Sequence, residues 1–315
     1  MAIPVIIDCD PGHDDALALL LAAGEPRLRL LGVTTVAGNQ TLDKTTRNAQ
    51  KILALAGASD IPVAAGCDRP LVSELTVADD IHGASGLDGP DLDVPVAETA
   101  GVHAVQLMRQ LIKDCAEPVT LIAIGPLTNV ALLLRTHPGI TSRLRRIVFM
   151  GGSTDRGNTT PYGEFNVVTD PEAADVVLRS ALPLTMIGLN VTHRALATAE
   201  IIAEFHDLGT NLGDICAELM TFFASTYRRN FGFAHPPVHD PVAVAAVLQP
   251  AIVQTVAAPV VVELAGTYTR GATAVDLHRR TGLTVNADVA LGLDVDAFWR
   301  LLMSAVRRLG GSPGR

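Results

Sequence analysis

Asp8, Asp10, Asp14 and Asp15 crowd into eight consecutive residues, Asp8-Cys9-Asp10-Pro11-Gly12-His13-Asp14-Asp15, directly after an apolar run. Carboxylates about 4 Å apart repel by roughly 4 kcal/mol at an effective dielectric of 20. Asp14 and Asp15 could serve as ordinary helix-opening residues, but a helix N-terminus returns only about 0.3–1 kcal/mol per anion. A bound cation resolves the conflict. Because the crowded side chains are all oxygen donors, a hard ion is implied, Ca²⁺ ahead of Mg²⁺.

Two familiar aspartate motifs compete for this stretch. An EF-hand loop needs D-x-D-x-D-G between two helices, whereas here a strand precedes and the third aspartate is displaced. Aspartyl-nucleophile phosphatases also place D-x-D after a first strand, with Asp8 then the nucleophile. They continue with Gly-Thr, where this chain has Pro11-Gly12-His13.

The elements that must hold the cluster can be read from periodicity. Apolar runs at 4–7, 30–35, 63–65, 119–124, 147–150, 184–189 and 260–264 read as buried strands. Helical spacing covers 14–23, 42–56 and 102–115, the first two stopped by Gly24 and Gly57. The alternation predicts βαβ units, hence an α/β domain with a mostly parallel, Rossmann-like open sheet flanked by helices. Residues 200–227 and 238–248 read as helices, a helical elaboration in the second half. No linker or repeat divides the chain, so one domain is expected over 1–309, with a frayed tail at 310–315. In such sheets ligands bind at the carboxyl ends of the strands, where the cluster sits. Alternation puts Asp8 and Asp10 on one side of the first strand and Cys9 on the other.

Composition narrows the partners. Hydrophobic residues make up 48% of the 315 residues and charged ones 18%, enough for a sizeable core. A net charge of -9 argues against nucleic acid or an anionic membrane, which demand clustered Lys and Arg. A small-molecule substrate fits better. With no charged leader segment and no apolar run near the roughly 20 residues that cross a bilayer, the expected location is cytoplasmic. Cys9, Cys67, Cys115 and Cys216 lack CxxC spacing, so neither a disulfide framework nor a zinc site is expected.

The aspartate stretch resembles the D-x-D-P-G-x-D-D signature of the nucleoside hydrolases, the inosine-uridine nucleoside N-ribohydrolase family. Further segments match in order: Val36-Ala37-Gly38-Asn39, Ile81-His82-Gly83, Gly125-Pro126-Leu127-Thr128-Asn129, Met150-Gly151-Gly152, Glu164-Phe165-Asn166 with Asp170-Pro171-Glu172-Ala173-Ala174, and His239-Asp240-Pro241. The resemblance implies a Ca²⁺-dependent enzyme that cleaves ribonucleosides to free base and ribose, the ion contacting the ribose hydroxyls and the attacking water. It makes Asp10, Asp15 and Asp240 side-chain metal ligands, adds the carbonyl of Ile124, and leaves Asp8 behind them. Asp10 is then the general base, and inversion at the anomeric carbon is expected.

Asp14, Asn39, Asn158, Glu164 and Asn166 form the expected ribose-binding set, suited to a triol because amides and carboxylates satisfy hydroxyl donors and acceptors. His239 is placed to protonate the leaving base, His82 at the pocket entrance, and Tyr227 against the base. Phe222 and Phe223 read as core residues. His239 beside Asp240, and a single tryptophan, Trp299, in the C-terminal helical segment, favour pyrimidine or mixed inosine/uridine substrates. Family members form homodimers or homotetramers, and residues 76–89 are expected to act as a lid. The rival readings are the aspartyl phosphohydrolase and a non-catalytic Ca²⁺-dependent nucleoside or ribose binder.

Overall fold

The protein is described by a computed structural model covering residues 2–311. Ten strands are present among the described residues: β1 (Ile3–Cys9), β2 (Leu28–Thr35), β3 (Val63–Ala65), β4 (Val119–Ala123), β5 (Leu144–Met150), β6 (Leu184–Ile187), β7 (Val253–Ala258), β8 (Val260–Val262), β9 (Thr273–Val275) and β10 (Ala287–Leu293). Eight of them form one sheet in the order β3-β2-β1-β4-β5-β6-β10-β7. All neighbours are parallel except the β10–β7 edge pair.

β1 lies between β2 and β4, so the chain builds outward through β2 and β3 before returning to the other side of β1. That reversal opens a crevice beyond the carboxyl ends of β1 and β4. Ile124 N–H donates to Asp8 C=O at 2.8 Å and Val36 N–H to Cys9 C=O at 3.0 Å, so both flanking strands grip the last residues of β1.

One apolar core covers each face of the sheet. The helix His13–Gly24 is buried along nearly its whole length, which explains why HDDALALLLAAG carries no polar face once its aspartates are passed. It packs against the helices Asp240–Leu248 and Val295–Gly310. Helices at Leu42–Leu55, Ala104–Asp114, Ala199–His206 and Asn211–Phe231 stand close to where helical spacing places them.

One strand expectation needs correction, and two strands, β7 and β10, were not expected. Residues 260–264 do not join the main sheet: β8 pairs only with β9, antiparallel. Pro259 separates β8 from β7 and cannot donate to a ladder. Instead the Asn286 side chain accepts from Val260 N–H and donates to Val260 C=O, standing in for a neighbouring strand. β7 and β10 carry no strong apolar run; VQTVAA has four exposed central residues and ADVALGL is rich in Ala and Gly. The final helix reaches Gly310, one residue beyond the expected boundary, and the rest of that tail beyond Gly311 lies outside the described residues. Among the described residues no helix is long and apolar enough to cross a membrane, and all four cysteines are free.

Candidate active site

The crevice gathers side chains from both ends of the chain. Asp8 and Asp10 leave β1, Asp14 and Asp15 open the helix behind it, and Asp240 opens the helix Asp240–Leu248. All five are buried. Asp14, Asp15 and Asp240 each offer a carboxylate oxygen, and these atoms lie within 4.8 Å of one another.

Asp10 is built into this floor with unusual care. Asn39 N–H donates to its Oδ2 at 2.7 Å, and Asp10 N–H donates to Asp15 Oδ1 at 3.2 Å. A Cβ at Gly38 would overlap Asp10 Oδ2, and one at Gly125 would press on Oδ1, so two glycines clear the volume this carboxylate fills. Asp15 Oδ2 accepts from Gly12 N–H at 3.0 Å and Asn39 Nδ2 at 3.1 Å. Asp14 Oδ2 accepts from His239 N–H at 3.1 Å, tying the two ends of the chain. Asp14, expected among the ribose contacts, thus sits in the three-carboxylate group.

Burial raises every one of these acids. Asp15 is pushed up to about 7 by desolvation and then by the Asp14 charge, and Asp8 to about 7 by desolvation against two hydrogen bonds. Asp10 and Asp240 are raised further in the same direction, by burial first and by neighbouring carboxylates next. Asp10 Oδ1 and Asp8 Oδ2 are wholly buried without a hydrogen-bond partner. Oxygen-only donors, mutual repulsion and unpartnered buried oxygens fit a hard divalent cation. Asp8 Oδ1 accepts from Thr34 Oγ1 at 2.6 Å and Asn129 Nδ2 at 2.9 Å, so one of its two oxygens is taken up by bonds behind the cavity.

Above the floor lies a narrow cavity of about 50 Å³. Every residue expected to bind substrate lines it: Asp14, Asn39, His82, Asn158, Glu164, Asn166 and Tyr227, together with His239, Ile124 and Asp240. Asp10 and Asp15 lie beneath the wall. A larger groove near Leu178 and Asp288 opens at the opposite end of the sheet and holds no comparable acid cluster.

Asn166 donates through Nδ2 to the carbonyls of Ile124 at 2.9 Å and Met150 at 3.1 Å. The Ile124 carbonyl expected on the metal therefore already accepts one bond and keeps one lone pair. Glu164 caps the short helix Phe165–Thr169, accepting from the N–H groups of Gly152, Asn166 and Val167, and burial raises it to about 7 despite those bonds. Asn158 Oδ1 accepts from Phe165 N–H at 2.9 Å.

On the opposite wall His239 bonds through Nε2 to Tyr227 Oη at 3.0 Å and through Nδ1 to Thr192 Oγ1 at 2.7 Å. Burial lowers His239 to about 3. His82 Nδ1 lies 3.1 Å from His13 Nδ1, and burial lowers both rings. Phe223 is a core residue that also lines the cavity, and Phe222 stacks on His13 with ring centroids 5.2 Å apart. The segment expected as a lid is held by Ala78 N–H donating to Asn39 C=O and by Arg229 and Asn230 donating to Asp80 C=O.

Sequence reasoning passed over His13, Asn129, Phe165 and Thr192. His13 and Asn129 stand inside quoted motifs and Phe165 between two expected ribose contacts, so position alone could have flagged them. Thr192 carries no such signal.

Comparison with known proteins places the chain in a family. The profile of the family described as Inosine-uridine preferring nucleoside hydrolase matches residues 5–300. The chain is 47% identical over 303 residues to the pyrimidine-specific ribonucleoside hydrolase RihA of Salmonella paratyphi C (strain RKS4594), covering 96% of this chain and 97% of that one. Among solved structures, a purine-preferring ribonucleoside hydrolase from Gardnerella vaginalis is 32% identical with a TM-score of 0.89, covering 98% and 99% of the two chains. A plant nucleoside hydrolase is 28% identical with a TM-score of 0.92, covering 99% and 100%. The chain belongs to the inosine-uridine preferring nucleoside hydrolase family and is a nucleoside hydrolase.

Proposed function

We propose that this enzyme hydrolyses pyrimidine ribonucleosides, uridine first, to free base and ribose, with Ca²⁺ held by Asp10, Asp15, Asp240 and the Ile124 carbonyl. The carrying observation is the buried meeting of Asp14, Asp15 and Asp240 below a cavity walled by amides, with Asp10 outside that group of three but joined to Asp15 by a backbone hydrogen bond and its Oδ1 left unpartnered. When bound, the ion supplies positive charge that holds the ribose hydroxyls and makes water more acidic. Asp10 Oδ1 is the acceptor available for that water's proton. Asn166 spends both Nδ2 hydrogens on backbone carbonyls and offers Oδ1 to a hydroxyl, while Asn158 accepts through Oδ1 and offers Nδ2. Carboxylates below the sugar stabilise the positive charge that grows on it as the bond breaks. The hydrogen-bonded pair Tyr227 and His239 faces the departing base.

Relatives named pyrimidine-specific, at 45–47% identity, support the base preference. The structural neighbour named purine-preferring is more distant at 32%. Trp299 packs in the core against Phe205 and Phe298, away from the cavity, so no tryptophan is placed to sandwich a purine. A homodimer or homotetramer, carried by the resemblance alone, and a cytoplasmic location, carried by the sequence pattern, complete the reading.

The test is incubation of purified protein with uridine, cytidine, inosine, adenosine and 2′-deoxyuridine, following base and ribose. Uridine and cytidine should be cleaved fastest and 2′-deoxyuridine about 10⁴-fold more slowly, since sites built around a hydroxyl reject its absence. Base release that requires inorganic phosphate would replace hydrolysis by phosphorolysis.

A further inference from the structure

We propose that Thr192 is a positioning residue that fixes which nitrogen of His239 carries the proton, and so turns the Tyr227 hydroxyl toward the base. The inference rests on the reading that Tyr227 and His239 face the leaving base. Thr192 ends the short helix Leu189–Thr192 beyond the carboxyl end of β6, and its side chain is fully buried. Its Oγ1 lies 2.7 Å from His239 Nδ1 and has no second hydrogen-bond partner among the described residues. Other threonines in helices, such as Thr46 and Thr221, send their hydroxyl proton to a backbone carbonyl in the preceding turn; Thr192 does not.

The direction of the bond follows. If Nδ1–H donated to Thr192, the buried hydroxyl proton of Thr192 would have no acceptor, and leaving a buried donor unmet is costly. Donation from Thr192 to Nδ1 satisfies both atoms. The ring proton then sits on Nε2, which donates to Tyr227 Oη across 3.0 Å. Tyr227 Oη, having accepted that bond, keeps its own proton free, and Tyr227 lines the cavity. Each donor has one acceptor along the line from Thr192 through His239 and Tyr227 to the pocket. Its outer end is a hydrogen-bond donor for negative charge growing on a departing base. No proton changes owner in setting this order.

Long-range proton–nitrogen NMR of the ¹⁵N-labelled protein, with and without Ca²⁺, reads the tautomer directly, His239 being assigned by its absence in His239→Ala. The wild-type ring should carry its proton on Nε2. Thr192→Val, matched in shape but without the hydroxyl, should lose that preference, and Thr192→Ser should restore it. Thr192→Val should also lose about tenfold more kcat/KM on uridine than on an activated nitrophenyl riboside, the worth of one hydrogen bond. A proton on Nδ1 in the wild type, or an unchanged tautomer in Thr192→Val, overturns the proposal. The wild-type and Thr192→Ser measurements decide it even if Thr192→Val does not fold. Failure of any nucleoside to react would remove the functional reading and leave the NMR result to judge Thr192 by itself.

Discussion

The carboxylate oxygens of Asp15 and Asp240 come within 4.8 Å of each other, although one residue lies in the first turn of the first helix and the other opens a helix late in the chain. Two buried carboxylates this close repel each other, which favours holding a proton on one of them, and burial raises both. Proton and divalent cation therefore compete for the same oxygens, and most of the predictions grow from this competition.

Stabilisation by Ca²⁺ should depend on pH with a definite sign. Asp8 and Asp15 are raised from 3.8 to about 7 and Asp10 and Asp240 upward as well, so below pH 7 the folded, metal-free cluster holds protons that the ion must displace. In the metal-free protein, stability from these raised acids is fully present below pH 4 and lost as pH rises through 7. Lowered histidines contribute with the opposite sign but enter both arms equally. The difference in Tm between Ca²⁺ and chelator should grow from pH 5 to pH 8, reaching about 2.7 kcal/mol of stabilisation at a hundredfold excess over Kd. Calorimetry at four pH values checks it; a difference that shrinks toward pH 8 would refute the competition.

Gly38→Ala should damage the floor without unfolding the domain, because the new Cβ overlaps Asp10 Oδ2. Gly125→Ala should do the same from the other side. Ca²⁺ affinity measured by calorimetric titration should fall at least tenfold in each, an effect of about 1.4 kcal/mol. Gly139→Ala, with nothing within 4 Å of its added methyl, is the control and should bind Ca²⁺ as the wild type does.

Asp10→Asn preserves shape and removes the proton acceptor. Turnover of uridine should fall by about 10²–10⁴-fold, the usual worth of a general base. A variant within tenfold of wild type would move the base elsewhere.

His239→Ala should slow nucleosides far more than an activated nitrophenyl riboside, whose leaving group needs no help. Tyr227→Phe should show the same bias, since their hydrogen bond makes them one unit. Equal losses on both substrates would take the pair away from the leaving base.

Much of this was legible in the residues because the informative signals are local. Alternating apolar runs located β1 to β6, and oxygen-rich crowding after β1 marked the buried acid cluster that could hold a cation. The edge pair β7 and β10 was not legible, since an exposed edge strand and an Ala/Gly-rich one bury too little apolar surface to show a pattern. Nor was Thr192, whose role exists only because β6 and the chain near His239 end side by side. His13 was hidden differently: placed among four aspartates it reads as a spacer, yet its ring lies between His82 and the carbonyl of Asp88.

The central claim is that acids from both ends of the chain hold the ion that makes hydrolysis possible. Its most direct test is uridine cleavage by exhaustively chelated enzyme, before and after Ca²⁺ is restored. No uracil or ribose should appear until the ion returns, and then both should appear in equal amounts. Undiminished release from the metal-free enzyme would contradict the account.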